Sequence, residues 1–128
     1  MKRLTPFLLV DAIEPCLEFW IDRLGFTQTV AVPEGDAIGF VILQHGPVEV
    51  MYQSRASVRN DVPALDAWKE RGGYGLFVEV EALDPLMPKL EGLEVVVPER
   101  KTFYGAREIG VRSPCGTVVV LAEFEPQG

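Results

Sequence analysis

One supersecondary pattern is written twice along this chain. A strand-like run at residues 4–10 leads into a helical stretch, then strand-like runs at 26–32, 38–44 and 48–53. After a polar stretch the pattern restarts, with a strand at 74–80, a short helix at 83–90 and strands at 93–97, 107–112 and 117–124. This repeat constrains the fold strongly. A four-stranded sheet with one helix buries only one of its two faces. Two such sheets can bury the other by closing over one another, and the concave faces then enclose a cavity. The expected fold is therefore α+β, two βαβββ modules whose curved mixed sheets enclose a cavity. A chain of 128 residues suits one domain or two very small ones. We read residues 4–53 as the first module, 54–73 as a connector and 74–124 as the second.

Local signals support the elements. Asp11 and Glu14 have capping-box spacing, and Pro15 falls in the first turn, where its missing N–H costs little. Ile13, Leu17, Trp20, Ile21 and Leu24 form an apolar stripe at helical spacing, and Gly25 ends it at C′. Trp20 on that stripe reads as core. Residues 33–36 are a turn, and His45-Gly46 joins a hairpin. The connector carries a short helix with Leu65 and Trp68 as its apolar contacts, closed by Gly72 and Gly73. Pro85 opens the second helix, residues 102–106 are an aromatic-rich loop, 113–116 a hairpin turn, and 125–128 a frayed tail.

Twelve basic against nineteen acidic side chains give a net charge of −7, which argues against nucleic acid as a partner. The same charge aids solubility and attracts cations over a distance. No apolar run is long enough to span a membrane. The start of the chain lacks the apolar core and cleavage site of a secretory leader. Two distant cysteines, Cys16 and Cys115, suit reduced thiols. The expected location is the cytoplasm.

The run Leu-Glu-Phe-Trp-Ile-Asp-Arg-Leu-Gly-Phe at 17–26 and the run Tyr-Gly-Ala-Arg-Glu-Ile-Gly-Val-Arg-Ser-Pro-Cys-Gly at 104–116 carry a resemblance. Both resemble the vicinal-oxygen-chelate superfamily of glyoxalase I, bleomycin-resistance proteins and extradiol dioxygenases. The first run is most similar to bleomycin-resistance proteins, and the resemblance extends over residues 4–124. In metal-dependent members, His, Gln or Glu donors stand on the first, fourth, fifth and eighth strands. The corresponding residues here are Thr5, Glu49 (or, with a slipped alignment, Met51), Gly75 and Val120. Glu49 alone is a good ligand, and a divalent site needs roughly three or more protein donors. Pairing Glu49 with Glu79 makes a poor site. His45, the single histidine, falls in a turn. Cys115 reads as a turn residue without a histidine base beside it. The glycines form neither a phosphate loop nor a dinucleotide fingerprint.

The inward strand positions implied by this alignment are Thr5, Phe7, Leu9, Glu49, Met51, Phe77, Glu79, Val118 and Val120. They either line a ligand cavity or fill the interior. Glu49 needs water, an arginine, a metal or a cationic ligand, because a carboxylate in an apolar interior costs several kcal/mol, about 3–5 when its partner is removed. By resemblance the loop with Phe103 and Tyr104 lies near the cavity mouth, to stack on a planar ligand or to cover the core. Tyr52 and Trp68 are weaker candidates, and Arg107 reads as structural. The expected ligand-binding set is Thr5, Phe7, Glu49, Met51, Phe77, Phe103, Tyr104 and Val120, with no catalytic and no metal-binding residue.

The implied function is stoichiometric binding of a small cationic or planar compound, such as an antibiotic, by a homodimer without a cofactor. The alternative is a glyoxalase-like lyase or isomerase, or a dioxygenase, using one divalent metal ion. A third reading is an occluded core that binds no small molecule.

Overall fold

In the computed structural model, residues 3–61, 63 and 75–126 are described. The chain divides into two compact units, Met1–Gly72 and Gly73–Gly128. Leu65, Trp68, Gly72, Gly73 and Tyr74 lie outside the described residues.

The first unit runs β1 (Phe7–Val10), α1 (Glu14–Leu17), a π-helical continuation (Glu18–Arg23), β2 (Thr27–Glu34), β3 (Ala37–His45), β4 (Val48–Ser54) and α2 (Arg55–Asp61). Its sheet has the order β1-β4-β3-β2, with β1 parallel to β4 and the other pairs antiparallel. Phe7 pairs with Met51 and Leu8 with Tyr52, while Leu43 pairs with Val50. Strand alternation therefore sends Leu8, Val10, Val41, Leu43, Val50 and Tyr52 to one face, and all six are buried. Trp20 Nε1 donates to Tyr52 Oη at 2.7 Å, so the helical segment covers this face. Phe19 and Phe26 pack edge-on against the Trp20 ring, 5.1 and 4.9 Å between centroids.

Two expectations about this helix are overturned. Asp11 does not cap it. Ile13 is the N-cap, without a side-chain bond, and the Asp11 carboxylate pairs with Arg55 Nε at 2.8 Å. Glu14 instead accepts the Ile38 amide at 2.9 Å, which holds its carboxyl below the usual range. The buried positions are Ile13, Cys16, Phe19 and Trp20, while Leu17, Ile21 and Leu24 are half-buried. Beyond Leu17 the winding widens, with the Leu24 amide bonding back to Phe19, and this turns Phe19 inward beside Trp20. Gly25 ends the segment at φ +80°, as expected.

The second unit runs β5 (Gly75–Glu79), a 3-10 turn (Met87–Leu90), β6 (Glu94–Lys101), β7 (Ala106–Arg112) and β8 (Val118–Phe124). Its order, β5-β8-β7-β6 with β5 parallel to β8, reproduces the first sheet strand for strand. Leu83, Leu90, Ile109, Val111, Val119 and Leu121 are its buried apolar side chains on the turn-covered side. The helix expected at 83–90 shrinks to a 3-10 turn, because Pro88 removes an amide donor in its interior. The turn is tied down where Glu123 accepts the Leu83 amide at 2.7 Å. Beneath it lies a hollow of about 510 Å³, bordered by Met87, Leu90, Leu93, Val95, Ile109 and Val111.

Edge strands β2 and β6 are exposed and irregular. Register shifts fall between Val32 and Pro33 in β2 and between Val97 and Arg100, around Pro98, in β6. A proline is tolerated on such an edge because it interrupts no inner ladder.

Replacing Tyr52 by Phe leaves the buried Trp20 N–H without its acceptor. We expect urea unfolding to report a loss of about 1–3 kcal/mol, the scale for a stranded buried donor. An unchanged midpoint would show that the helix does not depend on this bond.

Candidate functional site

The faces turned away from the helical covers hold the side chains of interest. In the first sheet, Phe7 pairs with Met51, Ile42 with Met51 and Gln44 with Glu49. Thr5, Phe7, Glu49 and Met51 thus share one face, and all four are half-buried. The Glu49 side chain is 14% exposed. Thr5 Oγ1 donates to Glu49 Oε1 at 2.9 Å, and Arg3 Nη1 reaches Oε2 at 3.2 Å. The sequence indicated that Glu49 needs a partner; among the described residues these two supply it.

In the second sheet Val120 lies between Phe77 and Gly110, so Phe77, Val120 and Gly110 share a face. Glu108 pairs with Ala122 on that face and with Arg100 across β6. The Glu108 carboxylate is buried and accepts from the Tyr104 phenol and from Arg100 Nε at 3.0 Å. Phe124 lies 6.2 Å from Phe77 and 6.1 Å from Tyr104, ring centroid to centroid. Phe103 contacts Tyr104 edge-on and is 99% exposed. Of the eight expected residues, four gather on the first sheet and Phe77, Tyr104 and Val120 on the second, with Phe103 beside Tyr104.

The Glu108 cluster favours an ionised carboxylate beside a protonated phenol. The Tyr104 hydrogen bond, then Arg100, keep the Glu108 carboxyl below its usual range against the opposing effect of burial. The same bond to Glu108 raises the Tyr104 phenol. Glu108 is therefore a poor acid and Tyr104 a poor base at neutral pH, and the cluster serves structure more readily than proton transfer.

Arg3, Arg100 and Glu108 escaped the sequence reading. Glu108 had a signal, since it alternates with apolar Ile109 and Val111 and so falls on the opposite face. Arg100 reaches it only through the irregular register of β6. Tyr52, a weaker candidate, is in the core beneath Trp20. Arg107 joins two carboxylates, Asp84 at 2.7 Å and Glu99 at 2.8 Å, which matches the structural role read for it. Cys115 contacts Ser113 within the hairpin turn, Sγ to Oγ 3.3 Å, and the His45 ring lies 5.4 Å from Phe26.

The metal implied by the resemblance does not fit these residues. At the four corresponding positions, Thr5 and Glu49 bond to each other, Gly75 has no side chain and Val120 has no donor atom. A Cβ on Gly75 would meet the Val118 carbonyl oxygen at 3.0 Å, so the strand is tightly backed there. Among the described residues, no three His, Cys, Asp or Glu side chains are grouped to hold a metal ion.

Comparison with solved structures identifies the architecture as the glyoxalase/bleomycin resistance protein/dioxygenase fold. A protein described by that name from Nocardioides shares 22% identity over 100% of this chain and 88% of its own, at TM-score 0.72. A lactoylglutathione lyase from Agrobacterium tumefaciens shares 19% over 96% and 97%, at TM-score 0.72. The bleomycin-binding protein of bleomycin-producing Streptomyces verticillus, complexed with copper(II)-bleomycin, shares 19% over 98% and 99%, at TM-score 0.62. No protein-family model and no curated protein matches the sequence. No helix among the described residues is long and apolar enough to cross a membrane.

The depressed Glu108 carboxyl makes a signed prediction. Its contribution to stability is present above the ordinary glutamate range, about 4.3, and is lost as pH falls through the lower folded value. Wild type should exceed Glu108→Gln in urea midpoint at neutral pH, and the gap should close in strong acid. A gap independent of pH would mean that the charge contributes nothing.

Proposed function

We propose that this chain is a metal-free small-molecule binding protein of the glyoxalase/bleomycin-resistance kind. It sequesters a cationic or planar compound, such as an antibiotic, as a cytoplasmic homodimer. One observation carries this reading: Glu49 is a mostly buried carboxylate on the sheet face away from the helix, set among Phe7 and Met51. A negative charge in such surroundings costs several kcal/mol, about 3–5, unless a positive or hydrogen-bonding partner meets it. The aromatic side chains Phe77, Phe103 and Tyr104 supply ring faces for a planar partner. The fold shared with a protein that binds copper(II)-bleomycin supports the same reading.

A second reading draws on the fold shared with a lactoylglutathione lyase. A lyase, isomerase or dioxygenase of this type would need a divalent metal, and the donor set offers one good ligand, Glu49.

Metal retention separates the two. After incubation with zinc, nickel, manganese or ferrous iron and desalting, we expect elemental mass spectrometry to find far less than one ion per chain. Near-stoichiometric retention would favour the enzyme. Calorimetric titration with bleomycin and with planar organic cations tests binding directly. Glu49→Gln should weaken the bound cation by about 1–3 kcal/mol, as for loss of a charged hydrogen-bond partner; unchanged affinity for every cation would remove Glu49 from the site.

A further inference from the structure

The carboxylate that carries the proposed function is held by the chain's own cation. Arg3 Nη1 lies 3.2 Å from Glu49 Oε2 and 3.4 Å from Oε1, while Thr5 donates to Oε1 at 2.9 Å. The arginine contact is loose. Both distances exceed the roughly 2.7–2.9 Å of a close charged hydrogen bond. A single nitrogen straddles two oxygens, so the parallel two-bond fork of a guanidinium on a carboxylate is not made. The Arg3 side chain is 65% exposed and that of Glu49 only 14%, which leaves the cation wet and the anion dry.

Glu108 shows what a committed carboxylate looks like in the same protein. Arg100 grips its Oε2 with two nitrogens, Nε at 3.0 Å and Nη2 at 2.9 Å, and Tyr104 takes Oε1. The Glu108 side chain is 4% exposed. Glu49 has no such grip.

We propose that Arg3 is a displaceable stand-in for a ligand cation. It neutralises Glu49 before the ligand arrives, and yields to a guanidinium or amidinium, whose paired N–H donors complete the fork that Arg3 leaves unmade. This rests on the binding reading above and names the ligand class for it. A quaternary ammonium brings charge but no N–H, so it cannot replace the hydrogen bonds lost when Arg3 leaves. Arg3 is thus an internal competitor that lowers affinity for every cation and selects for those with the fork.

Benzamidine, a planar amidinium, and benzyltrimethylammonium, a planar ring without N–H donors, are the probes. Each is titrated by NMR into wild type, Arg3→Gln, Glu49→Gln and the double variant. Arg3→Gln should bind benzamidine about two- to five-fold more tightly than wild type, the scale of an exposed ion pair. Glu49→Gln should bind it roughly ten-fold or more weakly, and the double variant should gain nothing from losing Arg3. If Arg3→Gln binds no better than wild type while Glu49→Gln is impaired, the role of Arg3 is overturned and Glu49 stands. If all four proteins bind benzamidine equally, Glu49 is not in the site and the binding reading falls with the inference. Benzyltrimethylammonium bound as tightly as benzamidine, or no benzamidine binding to wild type and Arg3→Gln, overturns the fork-cation class.

Discussion

Each module has one helical or turn-like cover for a sheet with two faces, and this asymmetry governs where every side chain can go. Parallel pairing of β1 with β4 demands a crossover, and the crossover places its helix on one side only. The covered side takes Leu8, Val41, Leu43 and Tyr52 and buries them. The other side receives Thr5, Glu49 and Met51, which are half-buried. The second module repeats the arrangement, with Leu121 and Val119 under the turn and Glu108, Val120 and Phe77 on the opposite face. Glu49 and Glu108 are tolerated on these faces because each has found a partner there.

The two partnered carboxylates are not equivalent. Glu108 is fixed from two sides by groups close to it in sequence, across a hairpin and a tight loop. Removing it would take the acceptor from the Tyr104 phenol and loosen an arginine, a structural loss. Glu49 is met by residues that precede β1 and reach it across the parallel strand pair. One of them is mostly in solvent. The partner exchange proposed above therefore falls to Glu49, and shape-keeping to Glu108.

What could be read from the sequence was whatever depended on near neighbours. The repeat, the hairpin at His45-Gly46, the stop at Gly25 and the core position of Trp20 all follow from local periodicity and turn chemistry. The capping box failed because Arg55, far along the chain, draws Asp11 away. The helical stripe held at Ile13 and Trp20 and missed Cys16 and Phe19; the π-helical winding around Phe19 is announced by no residue pattern. The second helix failed where Pro88 could have given warning. Glu49 and Val120 were singled out by the strand alignment that the resemblance implies, and alternation added Met51 to the face of Glu49, a face the strand register shows. Arg3 and Arg100 were out of reach, since one lies before the first strand and the other behind a bulge.

The irregular edges bear on how copies of this protein can meet. A flat, continuous edge strand is a template for another chain, and proteins that expose one are prone to fibrillar stacking. Here one of the two outer strands of each sheet carries a proline at a break in its register, Pro33 in β2 and Pro98 in β6. An incoming backbone would find its ladder of donors interrupted midway and its path twisted. Along β2 and β6, therefore, another copy cannot zip on by its backbone, and a partnership at these two edges has to be written in side chains.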